Sequence, residues 1–284
     1  MITPNQPQTA AAVAQHYDDL DGYYRELWGE HVHHGYWKTG RETPDQAVLQ
    51  LIDAVADAAQ VGPGDRVCDV GCGYGGTARR LATQRGAQVV GLTISSAQHA
   101  FAVQQTPGDN PVYLLRNWLQ NELADDSFDA LVSIECLSHV EDKAAFFSEI
   151  RRVLQPGRKA ALAVWLAKED PRPWEVKRLL EPICREGRLT SLGSDSEYRE
   201  LMAGAGLELV SFANLSREVR KTWRICAWRL AKGLASNRSY RQDLFQRRNR
   251  NWIFAVTLCR ILTAFRTGSM QYGLYVVQKP PLAS

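Results

Sequence analysis

No Cys-x-x-Cys pair occurs in the chain, and its six cysteines are scattered at 68, 72, 136, 184, 226 and 259. That spacing suits buried or free thiols in a reducing cytosol, not a disulfide framework. Apolar runs long enough to span a bilayer, ~18 residues, are missing too. The opening stretch MITPNQPQTAAAVAQ lacks the basic start and apolar centre of a secretion signal, so a cytoplasmic protein is expected. Internal repeats and low-complexity tracts are also absent. What remains is the composition of an ordinary soluble globular protein, with 45% hydrophobic and 23% charged residues among 284. Such a length holds one large domain, or a domain with an inserted cap.

Net charge is only +3, but it is unevenly spread. Between Arg217 and Arg266 stand thirteen Arg and Lys against two acids, Glu218 and Asp243, a local excess of +11. The basic, Trp-containing segment 217–266 has several readings. It could neutralise an anionic substrate over the active site, touch an anionic membrane surface weakly, or form a solvated helix face. Nucleic acid is not the expected partner.

Strands and helices alternate through the middle of the chain. RVCDVG, AQVVGLTI, PVYLLR, SFDALVSIEC and RKAALAVWL read as strands, with helical GGTARRLATQRG, SSAQHAFAVQQ and DKAAFFSEIRRVL between them. Near-continuous apolar strands separated by helices predict a parallel sheet covered on both faces. Ahead of it, AVAQHYDDLDGYYRELWGE predicts one helix ending near Gly29, and TPDQAVLQLIDAVADAAQ a second, capped by Thr43 with Pro44 in its first turn. From Pro171 a helical insert is expected, then a helix and strand over DSEYRELMAGAGLELVSFANL. A mostly helical stretch to about 265 precedes a final strand in SMQYGLYVVQKP.

The first strand runs into VCDVGCGYGG, where Gly71, Gly73 and Gly76 have G-x-G-x-x-G spacing. Such a turn brings a ligand close to the backbone and to the free N–H groups opening the next helix. An NAD site needs a carboxylate roughly 20 residues on to grip the ribose. That count lands at Leu92–Thr93, where no acid stands. Asp69 instead lies two residues before the first glycine.

VCDVGCGYGG resembles the first motif of the Rossmann-like S-adenosylmethionine (SAM) dependent methyltransferases. FDALVSIECLSHV and RRVLQPGRKAALAVW are similar to their fourth and fifth strands. HYDDLDGYYRELWGEHVHHGYW, VGLTISSAQ and RLTSLGSDSEYRELMAGAGLELVSFANLSREVRKTW are similar to the tocopherol methyltransferases, and more loosely to the sterol and cyclopropane-fatty-acid branch. Two positions depart from the pattern. Asn117 replaces the usual Asp after the third strand, and Arg158 replaces a glycine in the turn before the fifth.

The resemblance implies a doubly wound α/β sheet of seven strands, order 3-2-1-4-5-7-6, with the last strand antiparallel. Residues 1–42 would form an N-terminal helical lid and 43–170 the SAM-binding core. Residues 171–284 would supply the remaining strands and a helical substrate cap. SAM would be the cofactor and S-adenosylhomocysteine the product. Asp69, Gly71, Gly73, Gly75, Thr93, Ser95, Gln98, Asn117, Trp118 and Glu135 are the cofactor candidates in the core, joined by Tyr17, Tyr36 and Trp37 from the lid. Ser95 also reads as a helix cap, Gln98 as a solvated side chain and Trp118 as core.

Tyr23, Tyr24, Trp28, His33, His34 and Trp223 are the substrate candidates. Glu135 and His139 are the candidate proton acceptors, His139 either as base or as scaffold. The histidines of HVHH lack further ligands at metal spacing, so no metal is expected. The implied reaction is methyl transfer from SAM to a small molecule of specialised metabolism. An electron-rich aromatic, indole-like or isoprenoid carbon is the first reading, and O- or N-methylation of a similar metabolite the alternative. An NAD-binding Rossmann protein is the rival that the missing ribose acid argues against. Acceptor and oligomeric state stay open.

Overall fold

The computed structural model describes residues 1–236 and 250–282. Its centre is a seven-stranded sheet built from β1 (Arg66–Val70), β2 (Gln88–Thr93), β3 (Val112–Leu115), β4 (Phe128–Ile134), β5 (Leu154–Ala167), β6 (Glu208–Asn214) and β7 (Met270–Gln278). Their spatial order is β3-β2-β1-β4-β5-β7-β6. The first five run parallel, and β7 lies antiparallel between β5 and β6. The order and the reversed last strand are those the motifs implied.

Helices cover both faces because the inner strands are apolar on both sides. Val67, Cys68 and Val70 of β1 are fully buried, as are Leu131 and Val132 of β4. One core layer packs under α3 (Pro44–Ala58) and α4 (Gly76–Arg85). The other gathers Phe146, Phe147 and Ile150 of α6 (Lys143–Val153), with Tyr198 of α7 (Asp195–Gly204), behind β4 and β5. Thr43 caps α3 as predicted, and Gln46 returns a hydrogen bond to it.

Two expectations are corrected. The single N-terminal helix is two, α1 (Ala10–Asp19) and α2 (Asp21–Trp28), broken at Leu20. Two carboxylates near the break reach partners outside their own helices. Asp18 accepts from Ser95 and Ser96 hydroxyls at 2.5 and 2.8 Å, at the start of α5 (Ser96–Gln104), and Asp21 accepts from Tyr74 at 2.9 Å. The fifth strand also begins earlier than its apolar run, at Leu154. Beyond β5 come the helical insert through Pro173–Glu175, Val176–Leu180 and Glu181–Glu186, then α8 (Ser216–Val219), α9 (Lys221–Ser236) and α10 (Arg250–Thr267). Part of the basic segment, 237–249, lies outside the described residues. Among the described residues no helix is long and apolar enough to cross a membrane.

Candidate active site

Two cavities meet above the carboxyl ends of β1, β2 and β4, the edge where doubly wound sheets bind ligands. The first is walled by the glycine turn from Gly71 to Gly73, by Thr93 and Gln98 beyond β2, and by Asn117 and Trp118 beyond β3. Its roof is lid residues, among them Val13, Tyr17 and His31. The second and larger cavity is mostly apolar, with Tyr24, Trp28, Trp165, Ile183, Trp223 and Ile261 in its wall. Tyr17, Val32, His33, Glu135 and His139 line both and so form the wall between them.

At the base of the first cavity Asp69 is 2% exposed, and its Oδ2 has no partner among the described residues. Burial pushes its carboxyl up to about 7, against a hydrogen bond from the Ala78 N–H. A buried carboxylate oxygen without a donor fits a ligand that brings a positive N–H group. Gly71 has φ +78, and a Cβ there would lie 2.5 Å from Cβ and Sγ of Cys136. Gly71→Ala should therefore cost about 2–4 kcal/mol in stability, from left-handed strain plus overpacking. Denaturant unfolding checks this; a wild-type midpoint would contradict it.

Glu135 takes four hydrogen bonds. Its Oε1 accepts from the His34 N–H, the His34 Nδ1 and the Tyr272 hydroxyl, each at 2.8 Å, and its Oε2 from the Trp165 indole at 2.9 Å. Burial opposes its charge, but the His34 ring and backbone N–H beside it hold the carboxyl down to about 2. On its far side His34 Nε2 accepts the Trp223 indole N–H at 2.6 Å. An indole can only donate, so this imidazole is neutral with its proton on Nδ1.

His139 is fixed at both nitrogens. Nδ1 lies 3.1 Å from the Arg188 carbonyl and carries the proton; Nε2 accepts from the Tyr17 hydroxyl at 3.1 Å. Burial pushes this imidazole down to about 4, so it is neutral at ordinary pH.

Several candidates stand away from both cavities. Gly75 is the left-handed residue before α4, backed by the Tyr113 ring, whose hydroxyl donates to its carbonyl. Ser95 is fully buried as the cap of α5, accepting the Gln98 N–H and donating to Asp18. Tyr36 and Trp37 turn away from the glycine loop because the chain after Gly35 is held to α3. Tyr36 N–H bonds the Ala47 carbonyl, and the Trp37 indole donates to the Glu42 carbonyl. His34 is sealed behind Glu135. Glu135 lines the joint but, with four donors and a depressed pKa, is unsuited to accept a proton. Tyr23 lies on α2, and its side chain is outside the described residues.

The sequence also hid contributors. His31 rests on Gly76, and Arg79 pairs with Glu30, so the lid loop is tied to α4. Neither pairing has a local sequence signal. Among the described residues no three metal-ligating side chains cluster.

A glycine turn beside an orphaned acid, on this sheet order and under a helical lid, defines a SAM-dependent methyltransferase of the Rossmann-like class. The chain belongs to the mycolic acid cyclopropane synthetase family, whose model matches residues 5–273. It is 30% identical to the 27-O-demethylrifamycin SV methyltransferase of Amycolatopsis mediterranei, over 98% of both chains. It is 28% identical to the chloroplastic tocopherol O-methyltransferase of Arabidopsis thaliana, over 94% of this chain and 82% of that one. Among solved structures it is similar to a mycolic acid cyclopropane synthase complexed with S-adenosylhomocysteine. That likeness has a TM-score of 0.79 and 24% identity, over 96% of this chain and 99% of the other.

Proposed function

We propose that the chain methylates a hydroxyl group on a bulky, largely apolar metabolite, aromatic or polycyclic, held in the second cavity. SAM, when bound, supplies a methyl group on a positively charged sulfur already activated for displacement. The residues that would hold it are Asp69, through its orphaned Oδ2, the Gly71–Gly73 backbone, and Gln98 and Asn117 at the cavity's polar edge. The protein's remaining task is to align acceptor and donor and exclude water, an effect that can be worth roughly 7–11 kcal/mol.

The observation that carries the oxygen reading is the state of the shared wall. His33 and His139 are kept neutral there by burial; His139 Nε2 is taken by the Tyr17 hydroxyl, and His33 presents an unpartnered Nε2 as an acceptor, as removal of a hydroxyl proton requires. One relative is named a tocopherol O-methyltransferase and another a methyltransferase of a 27-O-demethyl compound, names that support the same choice over carbon. The aromatic wall of Tyr24, Trp28, Trp165 and Trp223 suits a flat or prenylated acceptor.

A screen of hydroquinols, polycyclic phenols and indoles with labelled SAM tests the proposal. The methyl carbon of the product should be bonded to oxygen by NMR; a carbon–carbon bond would overturn it. The Tyr17–His139 pair positions the joint. His139→Ala should leave S-adenosylhomocysteine affinity within a few-fold of wild type. It should lower kcat by up to about 100-fold, the scale of a 1 Å misplacement. Calorimetry and steady-state kinetics separate the two effects; unchanged kcat across pH would refute the role.

A further inference from the structure

Two imidazoles, His33 and His139, stand in the wall between the cavities and a third, His34, lies behind it; they differ in one respect. His139 Nε2 already accepts the Tyr17 hydroxyl, and His34 Nε2 the Trp223 indole. His33 is buried too, at 7% exposure, and lines both cavities. Its Nδ1 lies 2.8 Å from the His34 carbonyl. A carbonyl only accepts, so Nδ1 holds the ring proton and Nε2 is a bare lone pair. Among the described residues that nitrogen has no partner. Buried acceptors are rarely left unmet, and one that lines a cavity is placed to take a donor from the cavity's occupant.

We propose that His33 is the catalytic base, its Nε2 accepting the hydroxyl proton of the acceptor as the methyl group arrives. This rests on the hydroxyl-methylation reading. An oxygen lone pair forms the bond to the methyl carbon while the carbon–sulfur electrons return to sulfur, which becomes a neutral thioether. The O–H proton passes to Nε2, giving an imidazolium that later releases it to water.

The surroundings suit both states of the ring. Burial keeps His33 neutral at rest; Glu135 and the His34 carbonyl pull in the opposite direction and stabilise the imidazolium once formed. The His31 ring stands edge-on to His33 at 5.5 Å and is itself held neutral by burial, so it adds no competing charge. In this arrangement Tyr17 and His139 fix the shape of the wall, and the base stands beside them.

Two measurements decide the matter. The first is NMR of the full chain with nitrogen-15 in its histidine rings, saturated with S-adenosylhomocysteine and titrated with 1-naphthol as a hydroxyl probe. The His33 Nε2 signal, assigned by its loss in His33→Asn, should be that of an unprotonated nitrogen. It should move toward the hydrogen-bonded position as naphthol is added. A protonated Nε2, or one that naphthol leaves unmoved, overturns the proposal. This arm uses the wild-type fold.

The second measurement takes the acceptor found in the product screen. His33→Asn should lower kcat by about 10²- to 10⁴-fold, the usual contribution of a general base, with unchanged S-adenosylhomocysteine affinity. Added imidazole should restore part of the rate in His33→Ala. A His33→Asn variant retaining more than about a tenth of wild-type kcat would be below the range for a general base and would overturn the assignment. If the product carries its methyl on carbon while naphthol still shifts Nε2, hydroxyl methylation fails as the reading and the acceptor role of His33 stands.

Discussion

Asp69→Ala is expected to abolish measurable binding of S-adenosylhomocysteine. The carboxylate is buried at the base of the first cavity and has an oxygen with no donor. Any ammonium it receives is paired away from water, where losing one partner costs on the order of 2–5 kcal/mol, or about 30- to 5,000-fold in affinity. The carboxyl has been pushed up to about 7 by burial, so it must lose a proton before it can hold a cation. Affinity should therefore rise with pH up to about 7, by at most about tenfold per unit, and Asp69→Asn should remove that slope.

Stability of the free protein follows the opposite direction. The folded carboxyl titrates above its unfolded value of 3.8, so the native state holds the extra proton between about 4 and 7. Stability from this group is present below that window and is lost as pH rises through it. At pH 8, Asp69→Asn should thus melt higher than the wild type while failing to bind. Calorimetry and thermal melts across pH measure both trends; a flat binding profile in the wild type would contradict the assigned role.

Glu135→Ala should be the most destabilising change at the wall. It would strand two donors of His34, the Tyr272 hydroxyl and the Trp165 indole together. Breaking a buried network of this kind costs about 3–5 kcal/mol. For a chain of this size that is a fall of roughly 6–20 °C in melting temperature. Glu135→Gln should lie between, since an amide keeps one acceptor but sets its own N–H groups against a donor. Because the carboxyl is held down to about 2, its stabilisation is present above the ordinary value of 4.5 and lost as pH falls toward 2. Its consequence reaches the lid, because His34 is the residue after His33. An Ala variant as stable as the wild type would mean that the network carries no net energy.

How much of this was written in the sequence depends on the range of the interaction. The five parallel strands were legible because burial on both faces makes each one an apolar run. Thr43 and Ser95 were legible as caps because capping is settled within three residues. The position of Asp69, two residues ahead of the glycine turn, marked the ligand as something other than NAD. Gly75 and Ser95 were overextended into ligand contacts, although each is fully occupied by its turn. Tyr36 and Trp37 were misplaced for a longer-range reason: Gly35 packs against Ala47 of α3, and that contact turns both rings away from the glycine loop. The distinction among His33, His34 and His139 was not legible at all. It depends on which nitrogen faces a carbonyl and which an indole or a phenol, and these partners come from segments as distant as Arg188 and Trp223.

The most direct test of the two-cavity account is a crystal structure of the chain with S-adenosylhomocysteine. The ligand's amino group should lie within hydrogen-bonding distance of Asp69 Oδ2, with its sulfur facing the wall shared by Tyr17, His33 and His139. Electron density showing the glycine turn without ligand, or the sulfur directed away from the second cavity, would contradict it.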